Sequence, residues 1–478
     1  MSHWRFGLIS LCLLSLSGIS SAQTDSDWCT VDAMGFEVIS DLEPAALSEV
    51  LDDLRRFDTW AAAYLPGTAS EVKVPMRMLV FSSHKAFRRY FGSDNFVGFL
   101  QPSLATSTVV IAPHRGNRLL LKTARHEYSH YLLRNRLDVS LPMWFDEGLA
   151  SLLSNIDVRD DQVTLGRLPI RTMQTLTADT RKLQLSIAQM LEADYLLGWS
   201  RARINQFYDW SWLLTHYLMM NGPTLKTALD TYLEERASPL IEYLDYSNTR
   251  LERRLSRYVR SKPATLTQPY PTANPSTLEP HCLSDLERDL ALAAAVVEHN
   301  PTTALKLIET HQPNHPQEPR LLVLLSRAHS ELGDQSLATQ IAQRAQRLAP
   351  DNAEVLVNLG NRLTSNCLLR RGSECRDAWR TALPLYRQAL ELDVERFDAV
   401  FGIGLAYLHG GRAGEAVNYL KVVYARAPWA VPVNFYLGES YRIIGDSRAR
   451  LYLNNAYNWA QSPIWRQLTE SALAELDR

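Results

Sequence analysis

Long apolar runs are scarce in this 478-residue chain. Past a stretch near the start, no segment is long and apolar enough to read as a transmembrane helix. Charge of one sign is lacking too. The formal net charge is -2, and no basic run of the kind that tracks phosphates occurs. That excludes a dominant nucleic-acid or polyanion surface. Cysteine is sparse, with five in all, and no pair sits in a CxxC zinc arrangement. What is present is an ordinary soluble composition, 46% hydrophobic and 21% charged residues, in a chain long enough for two or three domains.

The apolar stretch near the start runs from about Phe6 to Leu16, preceded by His3 and Arg5 and followed by the small residues Ser17 to Ala22. This is the charged, apolar and small-residue order of a secretory signal peptide, with cleavage expected after Ala22. The run is too short for a comfortable bilayer span, so residues 1–22 are expected to be removed rather than to anchor the chain. The mature protein is then expected in a periplasm or outside the cell.

Residues 261–281 read SKPATLTQPYPTANPSTLEPH, rich in Pro, Ser, Thr and Asn. Such composition predicts an extended linker between a first domain (23–260) and a second (282–478). The second half repeats. Ser326, Gly360, Gly404 and Gly438 occupy equivalent places, with steps of 34, 44 and 34 residues. Leu325, Leu359, Ile403 and Leu437 keep the same intervals, and Tyr407/Tyr441, Gly411/Gly445 and Pro316/Pro350 are each 34 apart. A 34-residue period with small residues at fixed offsets is the signature of tetratricopeptide (TPR) helix pairs, which build an all-α solenoid with a protein-binding groove. Five units are expected, the first and last degenerate. The extra residues of the third unit fall around Cys367 to Asp377. Cys367 and Cys375 flank that insertion and form the first-choice disulfide, and Cys29 with Cys282 follows by elimination.

The first half mixes strands and helices. Phe36–Ser40 alternates like a strand, Glu43–Tyr64 has helical spacing, and Pro75–Phe81 and Ser107–Ala112 are further strand candidates. A long helix is predicted over about Leu119 to Asn135. From Met143 onward the chain reads mostly as helix, with a polar interruption near Asp157 to Pro169. Strands first and helices after predict an α+β domain.

The chemistry lies in RHEYSHY, Arg125 to Tyr131. His126 and His130 are four apart, so a helix projects both imidazoles from one face. Two ring nitrogens so placed fit one Zn2+. Glu127 lies between them, placed to take a proton from a metal-activated water and pass it to a leaving amine. A catalytic zinc needs a third protein ligand. The next acidic helix, LPMWFDEGLASLL (Leu141 to Leu153), offers Asp146 and Glu147. The residue pattern alone leaves both open, and leaves open a Glu147 that merely faces solvent. Tyr208, His216 and Tyr217, in FYDWSWLLTHYL, are candidates to polarise a carbonyl, Tyr208 first among them. His84, His114, His299 and His409 show no ligand spacing.

RHEYSHYLL followed by LPMWFDEGLASLL resembles the gluzincin metallopeptidases of the peptidase MA-like group, in which HExxH precedes a W-x-x-E-G-[LF]-A helix. The resemblance implies that His126, His130 and Glu147 bind zinc and that Glu127 is the general base. It also implies an edge strand beside the active helix on which substrate pairs, for which Thr108 to Ala112 is the candidate, with an ordinary core strand as the alternative for that segment. Sixteen residues separate His130 from Glu147, somewhat fewer than in the aminopeptidases of that group. Their GxMEN-like motif for a substrate N-terminus is also absent. An endopeptidase acting on peptides or proteins is therefore the expectation. The competing possibilities are a TPR scaffold with a vestigial, inactive metallopeptidase domain, and a zinc hydrolase acting on another amide.

Overall fold

A computed structural model describes residues 27–65, 73–92, 97–113, 117–137, 141–159, 161–177, 184–193, 196, 198–235, 238–272, 278–367, 373–460 and 462–477. The expected signal peptide (1–22) and His114 lie outside these residues. No helix among the described residues is long and apolar enough to cross a membrane.

The first half is organised on a mixed six-stranded sheet. Strands β1 (Cys29–Ala33) and β2 (Phe36–Ser40) form an antiparallel hairpin. Its two turn residues, Met34 and Gly35, have φ of 54° and 79°, the left-handed backbone that a tight two-residue turn requires. Helix α1 (Pro44–Ala61) crosses to β3 (Met76–Val80), parallel to β2. Helix α2 (His84–Phe91) leads to β4 (Gly98–Gln101), and β5 (Ser107–Ile111) returns to lie between β3 and β4.

Alternation along the strands sorts the core into two layers. Met76, Met78 and Val80 of β3 face α1, with Val109 and Ile111 of β5, against Leu51, Leu54 and Phe57. Leu79, Phe81 and Val110 face the other way, toward Phe87 and Phe91 of α2.

Helices α3 (Asn117–Arg136) and α4 (Met143–Ser154) follow. A hairpin, β6 (Asp157–Arg159) and β7 (Gln162–Leu165), fills the polar interruption expected near Asp157. Helices α5 (Ile170–Thr177), α6 (Ile187–Leu191), α7 (Arg201–Met220), α8 (Pro223–Glu235), α9 (Leu240–Tyr243) and α10 (Asn248–Tyr258) complete the helical layer.

The expected linker is not free chain. Within residues 261–281, β8 (Leu266–Pro269) adds to the small sheet beside β7, and Tyr270 is buried against Trp60. At its end β9 (His281–Cys282) pairs with β1, where Cys29 and Cys282 form a disulfide. Its prolines exclude central-strand pairing but not an edge position, so composition alone overstated its freedom.

The second half is a stack of helix pairs, as the 34-residue period predicts. The pairs are α11 (Asp285–Val296) with α12 (Pro301–Ile308), α13 (Pro319–Glu331) with α14 (Gln335–Leu348), and α15 (Ala353–Thr364) with α16 (Ser373–Leu392). They continue with α17 (Phe397–His409) and α18 (Ala413–Arg426), then α19 (Val431–Ile443) and α20 (Ala449–Trp459), and a last helix α21 (Pro463–Leu476). The repeated small residues sit where the two helices of a pair touch. A Cβ on Gly404 would stand 2.9 Å from Leu420, and one on Gly438 2.8 Å from Leu453. Cys367 and Cys375 are disulfide-bonded across the insertion between α15 and α16.

Helix α11 also belongs to the sheet. Ala291, Leu292, Ala295 and Val296 cover the face formed by Leu79, Phe81 and Val110. The first repeat helix therefore completes the core of the first half, and the boundary near residue 282 is a packed junction.

Candidate metal centre

Helix α3 is fixed before it presents anything. Arg125 grips Asp53 of α1 with two guanidinium nitrogens, Nε donating at 2.7 Å to Oδ2. Tyr131 donates to the Val74 carbonyl at 3.1 Å, and Asn135 Oδ1 accepts from the Lys73 and Val74 amides at 2.9 and 3.0 Å. These contacts set the rotation of α3 against α1 and the start of β3.

Helix α4 is fixed by glycine. A Cβ on Gly148 would lie 2.2 Å from Thr215 Oγ1 and 2.4 Å from the Ser211 carbonyl oxygen of α7. The two helices therefore meet backbone to side chain there, and no larger residue fits. With Gly148 against α7, the preceding Glu147 is carried toward α3.

The result is a triangle of donor atoms. His126 Nε2 and His130 Nε2 are 3.3 Å apart, and Glu147 Oε2 lies 3.3 Å from the first and 3.5 Å from the second. Donors about 2.0–2.1 Å from one zinc in tetrahedral directions stand about 3.3–3.4 Å from each other, so the triangle has the size zinc requires. Glu147 Oε2 is buried and accepts no hydrogen bond. A buried carboxylate oxygen so placed, beside two imidazole nitrogens, is a donor suited to a cation held among the three. Among the described residues this is the single His/Cys/Asp/Glu grouping whose donor atoms converge in this way.

Asp146, the rival ligand, has another place. Its Oδ1 accepts from His130 Nδ1 at 2.9 Å, and its Oδ2 lies 3.5 Å from Arg134 Nη2. A proton held on Nδ1 leaves the Nε2 lone pair free toward the triangle, the usual outer partner of a metal-binding histidine. Arg134, which also donates to the His130 carbonyl at 3.1 Å, was not singled out from the sequence. Its position four residues after His130, on the same helical face, is a signal that could have marked it. Asp146→Asn is expected to weaken zinc binding about 10–100-fold. Competition with a chromogenic chelator reads this directly, and an unchanged affinity would remove Asp146 from the centre.

Three carboxyls crowd the site, and their protonation diverges. Burial raises the Glu127 carboxyl above its ordinary range, only partly opposed by His126 and His130. Burial pushes Glu147 the same way, but the two imidazoles outweigh it and hold that carboxyl low. For His130 the burial penalty is outweighed by Asp146 and Glu147, which raise it. Tyr208 of α7 is near enough for the Glu147 carboxylate to be the leading cause of its raised pKa, with burial and Glu127 adding to it. Its hydroxyl therefore keeps its proton.

The structure does not bring the other two candidates to the site. His216 is buried, with Nε2 donating toward the Gly166 and Ala264 carbonyls at 3.0 and 3.1 Å and Nδ1 accepting from Tyr258 at 3.0 Å. It is a neutral core histidine that fastens the β7 end to the start of the connecting segment. Tyr217 packs against Tyr258 in the same core.

The edge strand is also corrected. Thr108 to Ile111 lie in β5, which is paired on both sides by β3 and β4, and Ala112 follows it. The edge is β4, residues 98–101. It lies against α3: a Cβ on Gly98 would meet Glu127 Cγ at 3.1 Å and Thr123 Cγ2 at 2.6 Å. Four half-buried residues without alternation gave no strand signal in the sequence.

No family model matches the chain, and no curated protein matches it. Several solved structures do. A MamA structure is 21% identical, covering 40% of this chain and 99% of its own, with a TM-score of 0.29. A thermophilic TPR protein of Thermus thermophilus is 21% identical over 40% of this chain and 97% of its own, with a TM-score of 0.33. YrrB, a TPR protein, is 16% identical over 40% and 92%, with a TM-score of 0.30. Likenesses at this level carry no argument about function. The assignment of TPR-type repeats rests on the helix pairs themselves.

Proposed function

We propose that the first half is a zinc-dependent endopeptidase, exported from the cytoplasm, whose TPR array holds a peptide or protein. The observation that carries the reading is the donor triangle of His126, His130 and Glu147, with edges of 3.3, 3.3 and 3.5 Å. Two disulfides suit an oxidising compartment, periplasmic or extracellular.

When bound, zinc supplies a Lewis acid that acidifies a water and polarises a carbonyl. The chain's own residues do the rest. Glu127, its carboxyl raised by burial, accepts the proton of the attacking water and returns it to the departing amine. Tyr208 donates its retained proton in a hydrogen bond to the carbonyl oxygen as that oxygen gains charge. Strand β4, the outermost strand on that side of the sheet among the described residues, would lie along the substrate backbone beside Glu127.

Glu127→Gln tests this reading. The amide keeps the shape but cannot take a proton, so turnover of unfolded casein should fall about 100–10,000-fold. Zinc content, measured by atomic emission, should stay at that of the wild type. A zinc-loaded wild type that cleaves nothing across a broad peptide library, yet still binds partner proteins, would replace this reading with the inactive scaffold.

A further inference from the structure

The side of α3 and α4 that does not face the sheet borders a cleft of about 400 Å³. One wall belongs to the first half: Leu133 and Leu137 from α3 and its end, and Met143 from α4. The other belongs to the repeats: Phe401 of α17, Trp429 before α19, and Trp465 of α21. The charged groups lining it are Arg134 and Asp146, which face each other at 3.5 Å.

Asp146 joins this cleft to the metal centre. The same carboxylate that lines the cleft accepts the 2.9 Å hydrogen bond from His130. The cleft also begins at Pro102, Ser103 and Leu104, directly after the β4 edge. A peptide paired with β4 beside Glu127 would run on toward it. The volume falls in the usual range for ligand pockets, about 300–1,000 Å³, and suits a single large side chain or two smaller ones. A charged occupant would lose its hydration against aromatic walls, with Arg134 and Asp146 already satisfying each other. Phe401, Trp429 and Trp465, partly buried against the repeats, turn what they still expose into one concavity.

We propose that this cleft is a specificity subsite of the peptidase, taking a bulky aromatic or aliphatic side chain of the substrate at a fixed distance from the scissile bond. The proposal rests on the peptidase reading above. It gives the repeats a direct part in choosing the bond, because half of the subsite wall is theirs. The substrate class is then peptide segments carrying Phe, Leu, Met or Trp at one fixed distance from the cut.

The test uses the full chain and capped Gly/Ser octapeptides, each with a single Phe placed at a successive position, beside the Phe-free parent. Wild-type cleavage is mapped by mass spectrometry. Cuts should fall at a constant offset from Phe, with kcat/KM about 10–100-fold above the parent. Trp429→Ala and Trp465→Ala, on separate elements, should each shrink the ratio of Phe-peptide to parent kcat/KM about tenfold. A preference that is absent, or that survives both substitutions, overturns the proposal with the peptidase reading intact. Binding of the same peptides to zinc-loaded Glu127→Gln, followed by tryptophan fluorescence, needs no turnover. If the wild type cuts nothing, tighter binding of the Phe peptides that is lost in Trp465→Ala upholds the subsite while the peptidase reading fails. Equal binding of Phe and parent peptides, or none, overturns the subsite.

Discussion

Glu147→Ala is expected to strip the protein of zinc and of all hydrolytic turnover together. The two histidines that remain are one helical turn apart and hold a metal from one side only. Catalytic zinc sites use three protein ligands, so the loss should exceed the 10–100-fold expected when an outer partner such as Asp146 is changed. The readout need not involve substrate. A metal that binds only the folded chain stabilises it by about 4 kcal/mol when present at a thousandfold excess over its dissociation constant. Wild-type protein should therefore unfold at a clearly higher temperature with zinc than after chelation. Glu147→Ala should show nearly the same midpoint in both conditions. An undiminished zinc-dependent rise in the variant would mean that Glu147 is not a ligand, and the donor triangle would lose its third corner.

Why Asp146 and Glu147 could not be separated from the residue pattern is a question of helix phase. Neighbouring positions differ by about 100° around a helix, and either could be turned to α3. The phase is set by a contact remote in sequence, Gly148 against Ser211 and Thr215. The two histidines needed no such help, because their spacing lies within one helix. The same division runs through the fold. Strand β2 showed itself by alternation, β3 and β5 stood as further strand candidates, and the repeats showed themselves by their period. Strands β4, β8 and β9 have four residues or fewer, and the partners of β8 and β9 lie far upstream. For β9 the partner is 250 residues upstream, and its two residues become a strand only because Thr30 and Cys29 lie beside His281 and Cys282. The composition of residues 261–281 overstated their freedom, because it says nothing of the surface the segment crosses. The disulfide pairing was legible by counting, once export had been inferred from residues outside the described structure.

That pairing leads to the second large effect. Cys29→Ser with Cys282→Ser is expected to destabilise the protein far more than Cys367→Ser with Cys375→Ser. The first bridge closes a span of 253 residues and the second a span of 8. In the chain-entropy account their contributions are about 5.5 and about 2.5 kcal/mol, because the unfolded chain gains more freedom when the longer loop opens. The native side argues the same way. A two-residue strand has little hold of its own, yet β9 leads directly into α11, whose Ala291, Leu292, Ala295 and Val296 close the second face of the sheet. Releasing Cys282 loosens the step that delivers this helix to Phe81 and Phe87. Denaturant unfolding of the two double variants, each beside the oxidised wild type, measures the difference. Equal losses, or a larger loss for the short loop, would show that neither loop length nor the α11 junction governs stability. The order of strands adds a control. The bridge lies at the β1–β9 edge and the metal centre beside β4 at the opposite edge, so zinc affinity of the folded Cys29→Ser/Cys282→Ser protein should remain that of the wild type while its unfolding midpoint falls.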